Sequence, residues 1–149
     1  MKHFITFLII IATICQGCSK RNNFDRLIER EFNKCPDKNN CIIDLSKVLK
    51  FDWDTMYFFT NAYSLSEIDS LLGFHLTEYS DVGDRIVLTN KNNVVYYQEW
   101  FPYPSDELTE AFVAFDTEKN FFKIDRDNAI FSVRKDYDFY GFYFLKLIE

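Results

Sequence analysis

Asp52 and Asp54 flank Trp53 in the run FDWD. Two carboxylates this close can bind a cation, or divide acid and base roles when burial sets their proton affinities apart. On a strand they share the face opposite Trp53, which is also where ordinary solvent-facing residues stand. Glu99 is a third carboxylate, set among Tyr96, Tyr97, Trp100, Phe101 and Tyr103. On an exposed face such rings stack on a sugar or anchor a protein partner, and in a buried sheet they are core. Cys35 and Cys41 enclose Pro36-Asp37-Lys38-Asn39-Asn40, which is turn chemistry throughout. A loop this short brings two sulfurs together, so the pair reads as a structural disulfide contributing about 2–2.5 kcal/mol. A redox pair is usually C-x-x-C, and zinc would need a second ligand pair. Asp125, Asp127 and Asn128 resemble the opening of a calcium loop, but the glycine at the sixth position and the glutamate at the twelfth are missing, which leaves a turn. His75 alone cannot build a histidine metal cluster, and no G-x-S-x-G elbow accompanies it. No phosphate-binding glycine loop occurs. The residues therefore assign no catalytic group, no metal and no cofactor.

The first residues, MKHFITFLIIIATICQG, place one lysine before an apolar run from Phe4 to Cys15. That run is shorter than the ~20 residues that span a bilayer, and it fits the core of a secretory signal peptide. The exit, Cys15-Gln16-Gly17-Cys18, resembles the lipoprotein box of bacterial lipoproteins through Gly17 and Cys18, while Cys15 and Gln16 depart from it. Cys15 and Gly17 are also small enough for ordinary signal cleavage. The resemblance implies residues 1–17 as signal peptide, lipidation of Cys18, and an anchor on the inner or outer membrane facing the periplasm or the cell surface. Several acyl chains, at ~0.8 kcal/mol per buried CH₂, hold such a chain firmly. Export also supplies the oxidising compartment that favours a Cys35–Cys41 bond.

The elements that must position these groups centre on Phe51 to Leu76. An aromatic block with Trp53, Met56, Phe58 and Phe59 predicts a strand. Ser64 and Glu67 form a capping box, Leu65, Ile68, Leu71 and Leu72 recur at helical spacing, and Gly73 ends the helix. FDWD, an aromatic strand and an S-x-x-E helix ending in LLG together resemble small bacterial lipoproteins. That resemblance covers this segment and implies neither an activity nor a site. Asn23 to Asn33 predicts a helix with Phe24, Leu27, Ile28 and Phe32 on one face. The following CIIDLSKVLKF suits a strand or a short helix. Arg85–Thr89 and Val94–Phe101 predict a hairpin around Asn90-Lys91-Asn92-Asn93, ended by Pro102 and Pro104. Ser105-Asp106-Glu107-Leu108 suggests a helical turn and Phe112–Phe115 a short strand. Asn120–Ile124 and Ala129–Arg134 predict a second hairpin around 125–128, and Phe139–Ile148 a strand central in its sheet.

The whole chain of 149 residues, 48% hydrophobic and 19% aromatic, suits one domain, here 18–149, with ample core. After residue 17 it has 16 Lys and Arg against 23 Asp and Glu, a net charge of −7. Phosphate backbones need clustered positive charge, so nucleic acid is excluded as a partner. The expected architecture is a single α+β domain, an antiparallel-rich sheet of five to seven strands with two or three short helices on one face. The expected function is a lipid-anchored envelope protein that binds a protein partner, as an envelope component or an immunity-like inhibitor. The alternative is a glycan-binding module or hydrolase built from Asp52, Asp54 or Glu99 with the Tyr96, Tyr97, Trp100 and Tyr103 aromatics.

Overall fold

Phe24, Ile28 and Phe32 recur at helical spacing, and all three are buried along one side of the first helix, α1 (Asn23–Lys34). The computed structural model describes residues 23–81, 83–100, 112–138 and 141–148. Cys18, Tyr103, the Ser105 turn and the signal segment lie outside the described residues. Past α1 the chain makes a bend in which the Lys38 ammonium donates to the carbonyls of Phe32 (2.6 Å), which also accepts the Cys35 N–H (3.0 Å), and of Cys35 (3.0 Å). Cys35 and Cys41 are bonded, with Cα atoms 5.6 Å apart.

CIIDLSKVLKF serves both alternatives in turn. Cys41–Asp44 is strand β1 and Leu45–Val48 is the one-turn helix α2. Asp44 makes the switch. Its backbone is extended, and its carboxylate accepts the Ser46 N–H (3.0 Å) and hydroxyl, capping α2. Phe51–Asp54 is irregular, and the strand β2 is Thr55–Phe59. The helix α3 (Leu65–Leu72) follows as its sequence predicts. The Glu67 carboxylate accepts both the N–H (2.8 Å) and the hydroxyl (2.6 Å) of Ser64, and Gly73 closes the helix at φ +79°. Next come β3 (Asp84–Asn90) and β4 (Asn93–Trp100), joined by Lys91 and Asn92, both at positive φ as the tight hairpin turn requires. The remaining strands are β5 (Val113–Phe115), β6 (Phe121–Asp125), β7 (Ile130–Lys135) and β8 (Tyr143–Leu147).

The fold is a single α+β domain whose described strands divide into two four-stranded sheets rather than one larger sheet. The first runs β1-β7-β8-β5, the second β4-β3-β2-β6, and every pairing is antiparallel except β5 with β8. One core cluster draws Ile43, Phe131, Val133 and Leu145 from the first sheet, Met56, Phe58, Ile86 and Leu88 from the second, and the apolar face of α1. The opposite face of the second sheet, with Tyr57, Phe59 and Val87, is covered by Ile68 and Leu72 of α3 and by Leu76. The helices therefore serve two different faces. β2 is covered on both, which explains four successive buried residues, Met56 to Phe59. β8 lies inside its sheet, as its double-sided apolar pattern predicts.

The expected β6–β7 hairpin does not form. β6 pairs with β2, and β7 pairs with β1 and β8. The chain crosses between sheets through a 3₁₀ turn at Arg126–Asn128, with the Arg126 N–H on the Asp54 carbonyl (2.8 Å) and the Leu45 N–H on the Ala129 carbonyl (2.9 Å). Two neighbouring strands with a polar turn satisfy the local signal of a hairpin equally well when they belong to facing sheets. Replacing Cys35 and Cys41 together by Ser should lower the unfolding free energy by about 2–2.5 kcal/mol, read as a lower urea midpoint at unchanged slope.

Candidate functional site

β4 alternates its side chains between the two faces of its sheet, and that alternation decides what its aromatics do. Tyr96 and Trp100 pack with the core between the sheets, whereas Tyr97 packs on the α3 side. Tyr96 stacks on Phe51 (6.0 Å between ring centres) and donates its hydroxyl to Gln98 (2.6 Å). Trp100 is buried and lies 6.2 Å from Phe115. The structure thus brings Tyr96 and Trp100 to one inward face and Tyr97 to the other. Burial pushes the Tyr96 phenol up to about 12. Burial, with the Glu99 carboxylate next, raises Tyr97 as well.

The carboxylates do not converge. Asp54 sits just before β2 and accepts the Lys91 N–H (2.6 Å) and the Thr89 hydroxyl (3.1 Å), tying down the β3–β4 turn. The Lys91 N–H holds its carboxyl below the usual range. Asp52 is exposed beside the buried Trp53. Glu99 pairs across the strands with Arg85, four residues from Thr89 along β3, which places it ~13 Å from Asp54 at the strand rise. His75 lies just past α3, its Nδ1 2.7 Å from Asp69, whose other oxygen accepts the Leu76 N–H (2.8 Å). Asp125, Asp127 and Asn128 belong to the crossing turn. Among the described residues, no group of three or more His, Cys, Asp or Glu is placed to hold a metal ion.

What the sequence did not reveal is the partner of Glu99. Arg85 is fully buried, and its guanidinium stands 3.2 Å from Glu99, whose side chain is 3% exposed. Arg85 also donates to the Gly83 carbonyl (2.7 and 3.1 Å) and the Tyr63 carbonyl (3.3 Å), and it stacks on Tyr79 (4.7 Å). Glu99 accepts the N–H groups of Ser80 (3.1 Å) and Gly83 (3.2 Å) and the hydroxyl of Tyr97. The cluster holds the chain between α3 and β3 against the second sheet. An arginine opening RIVLT gives no sign of burial by itself; the signal was its register opposite the glutamate.

A second feature is a cleft of about 560 Å³ where the β5–β6 connection bridges the edges of the two sheets. Its floor is Phe115, Phe122, Leu145 and Leu147, and charged residues of the connection and Lys146 line it. No protein-family model, curated protein or solved structure matches the chain.

Removing one member of a buried ion pair strands the other charge, so Arg85→Ala should cost ~3–5 kcal/mol in urea unfolding. Tyr96 and Tyr97 have folded-state pKa values above the ordinary 10.0. Their contribution to stability is intact below pH 10 and is lost as pH rises toward 12. The urea midpoint should fall across that range, together with the appearance of phenolate absorbance.

Proposed function

We propose that the chain is an exported protein held on a membrane of the bacterial cell envelope by lipid on Cys18, and that it acts there by binding a protein partner, as an envelope component or an immunity-like inhibitor. The single observation that carries this reading is the bonded Cys35–Cys41 pair in a chain that opens with a signal-like segment. Disulfides persist in oxidising compartments and are rare where thiols are kept reduced. The net charge of −7 after residue 17 turns the partner search away from nucleic acid. The scatter of Asp52, Asp54 and Glu99 gives the hydrolase alternative no carboxylate pair across a common cleft.

The intact mass of the membrane-extracted protein tests the anchor. It should equal Cys18–Glu149 plus acyl groups, with two thiols appearing only on reduction. Cys18→Ala should move the protein to the soluble fraction, and retention on the membrane would overturn the lipid assignment. Cross-linking in intact cells should give a discrete heteromeric species, and recovery of monomer alone would overturn the partner reading.

A further inference from the structure

The cleft at the β5–β6 connection joins three properties that a ligand site needs. Its volume, about 560 Å³, falls within the range of small-molecule sites. Its floor is apolar and comes from both sheets: Phe115 of β5 with Leu145 and Leu147 of β8 on one side, Phe122 of β6 on the other. The ring centres of Phe115 and Phe122 are 5.6 Å apart, in an edge-on contact that fixes the floor. Its lining also carries charges of both signs. Asp116 is engaged by Arg134 at 3.7 Å. Neither the Glu118 carboxylate nor the Lys146 ammonium has a hydrogen-bond or ion-pair partner among the described residues.

We propose that this cleft binds a short zwitterionic peptide with an apolar side chain, the side chain resting on Phe115, Phe122, Leu145 and Leu147, the ligand's carboxylate on Lys146 and its ammonium on Glu118. A ligand with an apolar body alone would leave both rim charges unused, and an anion, though it would meet Lys146 and the already engaged Lys119, would leave Glu118 unmatched and face it and Asp116 across the mouth. A zwitterion of two or three residues satisfies both signs and fills the volume. Both rim groups are exposed, so the apolar contact supplies the affinity and the two charges select the ligand. The site does not depend on the lipid anchor. It stands or falls in purified protein, whereas the anchor is decided by the mass of the membrane-extracted chain.

The test is titration of leucylphenylalanine into the full chain held in nanodiscs, followed by NMR of the Phe115 and Phe122 rings and the Leu145 and Leu147 methyls. The expected result is saturable shifts confined to these groups. Lys146→Glu and Glu118→Lys, both surface changes, should each weaken binding roughly ten-fold, the loss of one charge-assisted contact. The acetylated and the amidated peptides separate the sources of this chemistry. Weakening by each block in turn supports the free zwitterion, and weakening by one block alone overturns it in favour of the matching end of a longer protein chain. Absence of shifts, equal binding of the peptide blocked at both ends, or indifference to both charge reversals would overturn the proposal.

Discussion

A guanidinium with no exposure to water dictates the arrangement of one side of this protein. Burying Arg85 removes its hydration, and that cost is offset only if its donors and its charge are met inside. The fold meets them with the Gly83 and Tyr63 carbonyls, the face of Tyr79 and the carboxylate of Glu99. Glu99 in turn accepts from the Ser80 and Gly83 N–H groups and from the Tyr97 hydroxyl, so the pair is closed by backbone and tyrosine side chains together. The chain after α3 has little regular structure of its own up to β3. Its path over the second sheet is set by where these donors and acceptors must lie.

On the other face of that sheet the constraint is volume rather than charge. Met56, Phe58, Ile86 and Leu88 meet Ile43, Phe131, Val133 and Leu145 across one core, and α1 adds Phe24, Ile28 and Phe32. Aromatic rings fill much of it. Phe58 lies 4.7 Å from Phe115 and 5.0 Å from Phe122, and Phe32 lies 5.2 Å from Tyr143. The high aromatic content thus has a structural use in joining two sheets. The bonded cysteines fix the end of α1 to the first residue of β1, so the helix cannot leave the core without taking an edge strand with it.

Local signals were legible in the sequence. Ser64, Glu67 and Gly73 delimit α3 because caps act within one turn, and Lys91-Asn92 mark the β3–β4 hairpin because few turns suit that twist. The Cys35–Cys41 bond was readable from its short polar loop. Pairing between distant segments was not. The β6–β7 crossing has the residues of a hairpin, and only the preference of β2 for β6 and of β1 for β7 divides them. Glu99 was read as a candidate functional carboxylate because its cross-strand partner is fourteen residues away in sequence and adjacent in space. The tyrosines of β4 looked like one platform, and strand alternation sends Tyr96 and Tyr97 to opposite faces. The cleft was invisible because its floor is assembled from three strands of two sheets.

The pairing of β1 with β7 has a consequence for how the molecule is made. Cys41 opposes Val133, 92 residues later, and β7 is itself completed by β8 near the end of the chain. Contacts of such separation form late, because closing a long loop costs entropy before any pairing repays it. While the chain emerges segment by segment, β1 has no strand to pair with until β7 is made, and the core between the sheets stays open until β8 arrives. A polypeptide that cannot close early acquires its final shape only once nearly all of it has been made.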